Sequence, residues 1–219
     1  MSAASSAGAT GPLRYVALGD SYTIGTALDD PADRWPNRLV AALAARADDP
    51  GRASAPRLEL VANLGVNGFT SGDVIRDELP ALDALRPAFA SLLVGVNDVV
   101  QGVSAATFET NAAHILDDLL ARLPASRIVT VATPDYTVTP QGAAYGDPRT
   151  QAAGIRANNA TLRRLSDSRA IAFVDIHDLS LRAGEDRTLV AEDGLHPSGV
   201  QYALWVERIA PVVEALLRT

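Results

Sequence analysis

The sequence predicts a three-layer α/β/α sandwich built on a five-stranded parallel sheet. Five short apolar runs, rich in β-branched residues, alternate along the chain with helical patterns, and this alternation is typical of an α/β domain. Most of the runs are continuously apolar, which is the pattern of strands that helices cover on both faces. The predicted strands are residues 15–18, 58–62, 89–94, 128–132 and 171–176.

The helical patterns lie between and after these runs. Apolar residues recur at helical spacing from Trp35 to Leu43, with Pro36 suited to a first turn and Pro50-Gly51 ending the region. Residues 74–85 predict one or two short helices interrupted at Pro80. Apolar stripes predict further helices over 108–123, 155–165 and 199–217, the last with a kink at Pro211.

Length and composition predict one globular domain. With 219 residues, 47% of them hydrophobic, the chain suffices for a single sizeable core. We expect residues 1–12 to be a flexible lead-in and residues 13–219 to form the domain. The formal charge of -7 argues against nucleic acid as a partner. The sequence does not determine the oligomeric state.

The residue types that are missing exclude several chemistries. The chain has no cysteine and no lysine, which excludes a thiol nucleophile, a disulfide, a Schiff-base lysine and the GxxxxGK phosphate loop. Because it has three histidines, we expect no histidine-rich metal site. No apolar run approaches the roughly 20 residues of a membrane span, so we expect a soluble protein. The lead-in lacks the pattern of a signal peptide, which predicts a cytoplasmic location unless a native N-terminus has been removed.

Three polar turns follow neighbouring predicted strands. Asp20-Ser21 follows the first strand, residues 63–68 follow the second, and residues 95–98 follow the third. Open α/β sheets bind ligands beyond the carboxyl ends of their strands, so we expect the three turns to meet at one edge. Taken alone, the tetrapeptide Gly19-Asp20-Ser21-Tyr22 is a weak signal that favours an ordinary polar turn over a nucleophile.

A fourth polar segment, directly before the last helix, supplies the partners that a serine nucleophile needs. Asp193 stands three residues before His196, with Gly194 between them to permit a sharp turn. The aspartate can therefore orient an imidazole that serves as the base for Ser21. The N–H groups of Ser21 and Gly68 and the side-chain amide of Asn97 are candidate donors to an oxyanion.

The four segments together resemble the SGNH hydrolases, also called GDSL esterases and lipases. The blocks are Gly19-Asp20-Ser21-Tyr22, residues 63–68, Gly95-Val96-Asn97-Asp98 and residues 193–197. They occur in the family's order and span nearly the whole chain. One departure is Tyr22, which stands where the family's name has leucine, and it leaves the reacting groups unchanged.

The resemblance implies a flavodoxin-like SGNH hydrolase fold and a serine esterase that needs no cofactor. Ser21 would be the nucleophile, His196 the general base and acid, and Asp193 its orienter, with Ser21, Gly68 and Asn97 forming the oxyanion hole. Gly65 is the alternative to Gly68 as the glycine of the oxyanion hole. We prefer Gly68 because it keeps the family's spacing from Asn63. The expected substrates are small carboxylic esters with short to medium acyl chains, hydrolysed through an acyl-enzyme intermediate.

Substrate identity and some roles stay open. Tyr22, Phe69, Val99 and Tyr136 are candidates for an apolar acyl site, and residues 133–150 for a wall or lid of the site. Acyl transfer, thioester hydrolysis and carbohydrate deacetylation are alternatives for the same site, and a non-catalytic small-ligand-binding domain is a remote one. We expect His114 to be solvated and His177 to make a structural hydrogen bond, with His177 the reserve candidate for the base.

Overall fold

A computed structural model describes residues 11–48 and 56–218 of the chain. Its centre is a five-stranded sheet in the order β2-β1-β3-β4-β5, in which every neighbouring pair is parallel. The fold is therefore the predicted α/β class with a parallel sheet. The strands are β1 (Leu13–Gly19), β2 (Leu58–Asn63), β3 (Phe89–Leu93), β4 (Ile128–Val131) and β5 (Ala172–Val174).

Helices connect the strands and cover the sheet. The long ones are α2, α6, α7 and α9, and the others are single turns or little more. In chain order the helices are α1 (Ser21–Ile24), α2 (Trp35–Ala47), α3 (Ser71–Asp73), α4 (Leu82–Leu85), α5 (Val96–Val100), α6 (Ala105–Arg122), α7 (Pro148–Asp167), α8 (His177–Leu181) and α9 (Gly199–Leu217).

The sheet separates two apolar clusters, as expected for strands covered on both faces. In β1, Tyr15 and Ala17 belong to the cluster that includes residues of α2 and α9, whereas Val16 and Leu18 belong to the cluster that includes residues of α6. All four of these side chains are fully buried. Period-two alternation therefore places successive residues in different cores, which explains why the run shows no polar face.

The strand order places a topological switch point between β1 and β3. The chain leaves β1 towards β2 on one side and returns at β3 on the other, so the connections at the carboxyl ends of these strands diverge and leave a crevice. The turn containing Ser21 follows β1, and α5 with Asn97 follows β3. The fold therefore brings two of the predicted site segments to the same crevice.

Residues 71–85 differ most from the sequence-based expectation. Instead of one or two short helices, this segment contains α3, a π-helical turn (Val74–Glu78), a 3₁₀ turn (Leu79–Ala81) and α4. Pro80 lies in the 3₁₀ turn and has no N–H to continue an α-helical ladder. Pro211, by contrast, lies inside the continuous helix α9.

Two expectations concern the ends of the chain and membranes. The predicted lead-in lies outside the described residues apart from Gly11 and Pro12. Within the described ranges, no helix combines the length and apolarity needed to cross a bilayer.

Candidate active site

Ser21 is the first residue of α1, at the sharp turn that follows β1. The side chain of Asp20 caps this helix by accepting the N–H of Tyr22 at 3.0 Å. Gly19 turns the chain with φ of +148°, and a Cβ atom there would lie 2.0 Å from the carbonyl oxygen of Leu93. The turn therefore requires glycine at this position. Ser21 is 6% exposed and lines a cavity at the crevice between β1 and β3.

His196 and Asp193 are joined within one loop before α9. The ring Nδ1 of His196 lies 2.5 Å from Asp193 Oδ2, and Asp193 Oδ1 accepts the backbone N–H groups of Leu195 and His196. The carboxylate thus fixes both the conformation of the loop and the orientation of the imidazole ring. It leaves Nε2 as the ring nitrogen that can act on a substrate or a nucleophile.

The electrostatics of Asp193 match this arrangement. Burial raises its pKa, but the hydrogen bonds from the His196 ring and from the N–H groups of Leu195 and His196 outweigh that effect and lower the pKa below its usual range. Asp193 is therefore ionised at neutral pH and stabilises a positive charge on the imidazole.

Ser21 and His196 line the same cavity, whose volume is about 280 Å³. The His196 ring also packs against Tyr22, with ring centroids 5.5 Å apart. Within the described residues no hydrogen bond joins Ser21 Oγ to His196. Such bonds are often long in unliganded enzymes and tighten when substrate binds, so the shared cavity is the relevant juxtaposition here.

The predicted oxyanion donors lie on the same cavity. Gly68 and Asn97 line it together with Ser21, and neither the Ser21 N–H nor the Gly68 N–H is hydrogen-bonded to any described residue. One amide hydrogen of Asn97 goes to the carbonyl of Phe69 at 2.9 Å, which leaves the other available. Gly68 has φ of +82°, and a Cβ atom there would meet nothing within 4 Å.

Gly65, the alternative to Gly68, has a different role. A Cβ atom on Gly65 would lie 2.7 Å from the carbonyl oxygen of Asp20 and 2.8 Å from the N–H nitrogen of Ile24. Gly65 thus lets the loop after β2 pack directly on the turn that carries Ser21. Asn63 reinforces this contact, since its side-chain amide donates to the carbonyl of Thr23 at 2.7 Å.

The apolar wall of the cavity includes some of the predicted residues but not others. Tyr22 and Tyr136 line it, whereas Phe69 and Val99 lie outside the lining. Val99 points towards Gly154 of α7, where a Cβ would lie 2.7 Å from its Cγ1. The sequence analysis did not single out five of the lining residues. Two of them, Val96 and Val100, are the first and last residues of α5, and their spacing of four was a signal that they share one face of the helix. The five are Asn67, Val96, Val100, Tyr145 and Leu195.

The long segment after β4 forms a wall of the cavity. It contains two 3₁₀ turns, Tyr136–Val138 and Gly142–Tyr145. The buried Tyr136 donates its hydroxyl to Gln151 of α7 at 3.0 Å, and the ring of Tyr145, 44% exposed, packs edge-on against it. One fixed ring and one exposed ring therefore stand at this side of the cavity.

The other two histidines stand apart from Ser21. His114 is exposed on α6. His177 lines a separate cavity between α7 and α9, and its Nε2 is 3.6 Å from Asp135 Oδ2, too long for a hydrogen bond. Among the described residues, no group of three or more histidine, aspartate or glutamate side chains is arranged to hold a metal ion.

Comparisons with known proteins agree with these observations. The model of the GDSL-like Lipase/Acylhydrolase family matches residues 17–204, which include Ser21, Gly68, Asn97 and His196. No curated protein matches the chain.

Solved structures share the fold at low sequence identity. A lipase/acylhydrolase from Enterococcus faecalis is 18% identical, with a TM-score of 0.73 over 94% of this chain and 97% of that one. An acetyl xylan esterase from Geobacillus stearothermophilus is 17% identical, with a TM-score of 0.68 over 93% and 95% of the two chains. A psychrotrophic esterase from Pseudoalteromonas is 17% identical, with a TM-score of 0.67 over 94% and 100%.

The family match covers most of the chain, and the fold is the one that these structures share. The chain therefore belongs to the GDSL-like lipase/acylhydrolase family and is an SGNH-type ester hydrolase.

Proposed function

We propose that this protein is a serine esterase that hydrolyses small carboxylic esters with short to medium acyl chains. The supporting observation is one cavity at the switch point that is lined by Ser21, Gly68, Asn97 and His196, with the ring of His196 held by the carboxylate of Asp193. This is the set of groups that acyl transfer to water requires.

In the first half-reaction, Ser21 Oγ attacks the ester carbonyl carbon while its proton passes to His196 Nε2. The carbonyl π electrons move to oxygen, and the N–H groups of Ser21, Gly68 and Asn97 stabilise the oxyanion. The carbonyl then re-forms, the C–O bond to the alcohol breaks, and His196 gives its proton to the departing alkoxide. Asp193 stabilises the intermediate imidazolium. The product is an acyl group esterified to Ser21.

In the second half-reaction, water takes the place of the alcohol. His196 removes a proton from water as its oxygen attacks the acyl carbonyl carbon, and the same donors stabilise the second oxyanion. Collapse breaks the bond to Ser21 Oγ, which recovers its proton from His196. The acid leaves and the enzyme returns to its starting state.

The size of the cavity supports the proposed acyl length. A volume of about 280 Å³ is near the lower end of about 300–1,000 Å³ for small-molecule sites. The lining includes the apolar side chains of Val96, Val100 and Leu195. Such a space suits a short or medium acyl chain better than a long one.

The first test replaces the nucleophile and the orienter. Ser21→Ala should lower kcat for a chromogenic ester by about 10⁴-fold or more, and Asp193→Asn by about 10³- to 10⁴-fold, because the tautomer and the imidazolium lose their support. His177→Asn is the matched control, since it removes an imidazole that lines another cavity and should leave kcat near the wild-type value. Circular dichroism checks that each variant is folded.

The outcomes separate the alternatives. If Ser21→Ala retains most of its rate, or if His177→Asn abolishes turnover, the proposed assignment is wrong. A phosphonate that fails to label Ser21 would favour the ligand-binding domain. A panel of esters, thioesters and acetylated sugars, with the ratio of alcoholysis to hydrolysis in mixed solvent, distinguishes esterase from thioesterase, deacetylase and acyltransferase.

A further inference from the structure

The turn that carries Gly68 has a backbone conformation on which this proposed oxyanion donor depends. Residues 66–69 form a β-turn, which is closed by the N–H of Phe69 donating to the carbonyl oxygen of Val66 at 3.2 Å. Gly68, the third residue of the turn, has φ of +82°, whereas the second residue, Asn67, does not have a positive φ. A negative φ followed by a positive φ identifies a type II turn.

The type of turn decides where the N–H of Gly68 points. Type I and type II turns differ by a rotation of about 180° of the central peptide, which here joins Asn67 to Gly68 and contains the Gly68 N–H. Both residues line the candidate active-site cavity. Because glycine also accepts the negative φ of a type I turn, Gly68 itself does not prevent this rotation. The conformation must therefore be held by contacts with other residues.

Two side chains, four residues apart at α5, hold this turn through its carbonyl groups. Gln101 Nε2 donates to the carbonyl oxygen of Gly68 at 2.7 Å, and Asn97 Nδ2 donates to that of Phe69 at 2.9 Å. Gln101 directly follows the last residue of α5, and the spacing of four places it on the same face as Asn97. The helix that supplies one candidate oxyanion donor thus also holds the loop that supplies another.

The bond from Gln101 fixes the peptide next to the Gly68 N–H. The peptide that joins Gly68 to Phe69 has its N–H bonded to Val66 and its C=O bonded to Gln101. It therefore cannot rotate without the loss of a hydrogen bond. Since the φ angle of Gly68 relates this fixed peptide to the one that contains the Gly68 N–H, loss of the Gln101 bond would loosen both.

We propose that Gln101 is a positioning residue that keeps the turn in its type II form and thereby directs the N–H of Gly68 towards the oxyanion. This role rests on the proposed esterase function. Gln101 is exposed and lies outside the cavity lining, so it touches neither the substrate nor the reacting atoms. It acts through the backbone of Gly68.

Amide hydrogen exchange, followed by NMR spectroscopy, tests the effect on the turn without reference to activity. Gln101→Met removes the amide donor from a side chain of similar length, so the turn should open more often and the N–H of Phe69 should exchange about tenfold faster. Thr110→Val is the matched control, because it removes another exposed donor, the hydroxyl that bonds to the carbonyl of Ala106 on α6 at 2.9 Å. It should leave the exchange of Phe69 unchanged. If the exchange of Phe69 is also unchanged in Gln101→Met, the proposal is overturned.

Ester kinetics test the consequence for catalysis. In Gln101→Met, kcat should fall about tenfold, less than the roughly 10²- to 10³-fold cost of removing an oxyanion donor, while KM stays within about twofold of the wild-type value. The Ki of a trifluoromethyl ketone, which forms a tetrahedral oxyanion on Ser21, should rise by about the same factor as kcat falls. Gln101→Arg restores N–H donors on a long side chain and should recover most of kcat. A wild-type kcat in Gln101→Met, or a loss of kcat without a rise in Ki, would overturn the positioning role.

A double variant tests whether Gln101 acts through Gly68. Gly68→Ala disfavours the positive φ, so the turn in that variant no longer depends on Gln101. Addition of Gln101→Met to Gly68→Ala should therefore lower kcat by less than about twofold. If the two losses of kcat multiply in full, Gln101 acts on catalysis by another route and the proposal is wrong.

This proposal and the esterase function fail in different ways. If Ser21→Ala leaves ester turnover intact, the esterase mechanism fails, and the exchange of Phe69 decides whether Gln101 holds the turn. If turnover depends on Ser21 but Gln101→Met keeps the wild-type kcat and Ki, the positioning role alone is wrong.

Discussion

Two positions in the loop after β2 require glycine for different physical reasons. A Cβ on Gly65 would collide with backbone atoms of the Ser21 turn, at 2.7 and 2.8 Å, whereas a Cβ on Gly68 would meet nothing within 4 Å but would occupy a residue with φ of +82°. The first glycine is required by close packing, and the second by backbone conformation. Their substitutions should therefore affect different properties.

Gly65→Ala should lower the free energy of unfolding by about 1–3 kcal/mol, because the colliding atoms are backbone and cannot rotate away. Gly68→Ala should lower it by only about 1 kcal/mol, the cost of the left-handed conformation, but should reduce kcat more than this loss explains if its N–H is an oxyanion donor. Urea unfolding and ester kinetics measure the two effects. Equal losses of stability, with no additional loss of kcat in Gly68→Ala, would contradict this division of roles.

Among the secondary-structure elements, the local pattern of apolar residues predicted the strands but not the irregular helical segment after β2. All five strands lie within two residues of the apolar runs, because apolar residues of the strands pack into a cluster on each side of the sheet and so leave a clear signal. The π-helical turn carries no such signal. It ends at Glu78, whose contact with Gly19 joins residues 59 positions apart, and a contact of that range leaves no local periodicity.

The candidate site likewise contains residues that local sequence pattern predicts and residues that it does not. Ser21, Asp193 and His196 stand in short polar segments at strand and helix ends, which a sequence displays directly. Tyr145 reaches the cavity through the path of the long segment after β4, so no spacing rule selects it over Phe69 or Val99.

The segment after β4 should control acyl-chain length through its exposed ring. Tyr145 stands at the cavity with an edge-on contact to the fixed ring of Tyr136, so its removal enlarges the apolar side without touching the polar groups. Tyr145→Ala should raise kcat/KM for long-chain esters relative to acetyl esters by about tenfold, in line with the value of a few methylenes in an apolar pocket.

A series of p-nitrophenyl esters of increasing chain length measures that ratio. Leu181→Ala is the matched control, because Leu181 is also a large, exposed apolar residue, at 41%, but lies on α8 outside the cavity lining. An unchanged chain-length preference in Tyr145→Ala would show that this ring does not limit the acyl site.

Across the whole chain, carboxyl groups with lowered pKa values and carboxyl groups with raised pKa values have opposite effects on how the stability of the fold depends on pH. The pKa of Asp193 is lowered, despite the raising effect of burial, by its bonds to His196 and Leu195, and that of Asp135 by its contacts with His177 and Thr137. These carboxylates stabilise the fold above the unfolded pKa of about 4 and lose that contribution as the pH falls through their folded values. They account for weakening in acid.

Asp20 and Glu78 act in the opposite direction, since burial raises their pKa values to about 8 and about 9. Between the unfolded pKa of about 4 and these values, the folded chain retains protons that the unfolded chain has released, so stability falls as pH rises. A single retained proton lowers the free energy of unfolding by about 1.4 kcal/mol per pH unit over this range.

Urea unfolding at pH 5, 7 and 9 should therefore show a decline in the free energy of unfolding towards alkaline pH. Glu78→Gln, which removes one of the two buried acids, should flatten that decline, whereas Glu59→Gln, which removes an exposed acid, should run parallel to the wild-type curve. Both variants replace one glutamate by glutamine, so a difference in slope between them reports the burial of the carboxyl group that is lost. Parallel curves for all three proteins, or greater stability at pH 9 than at pH 5 in the wild type, would contradict this prediction. Either result would show that the pKa values of Asp20 and Glu78 are not raised in the folded chain.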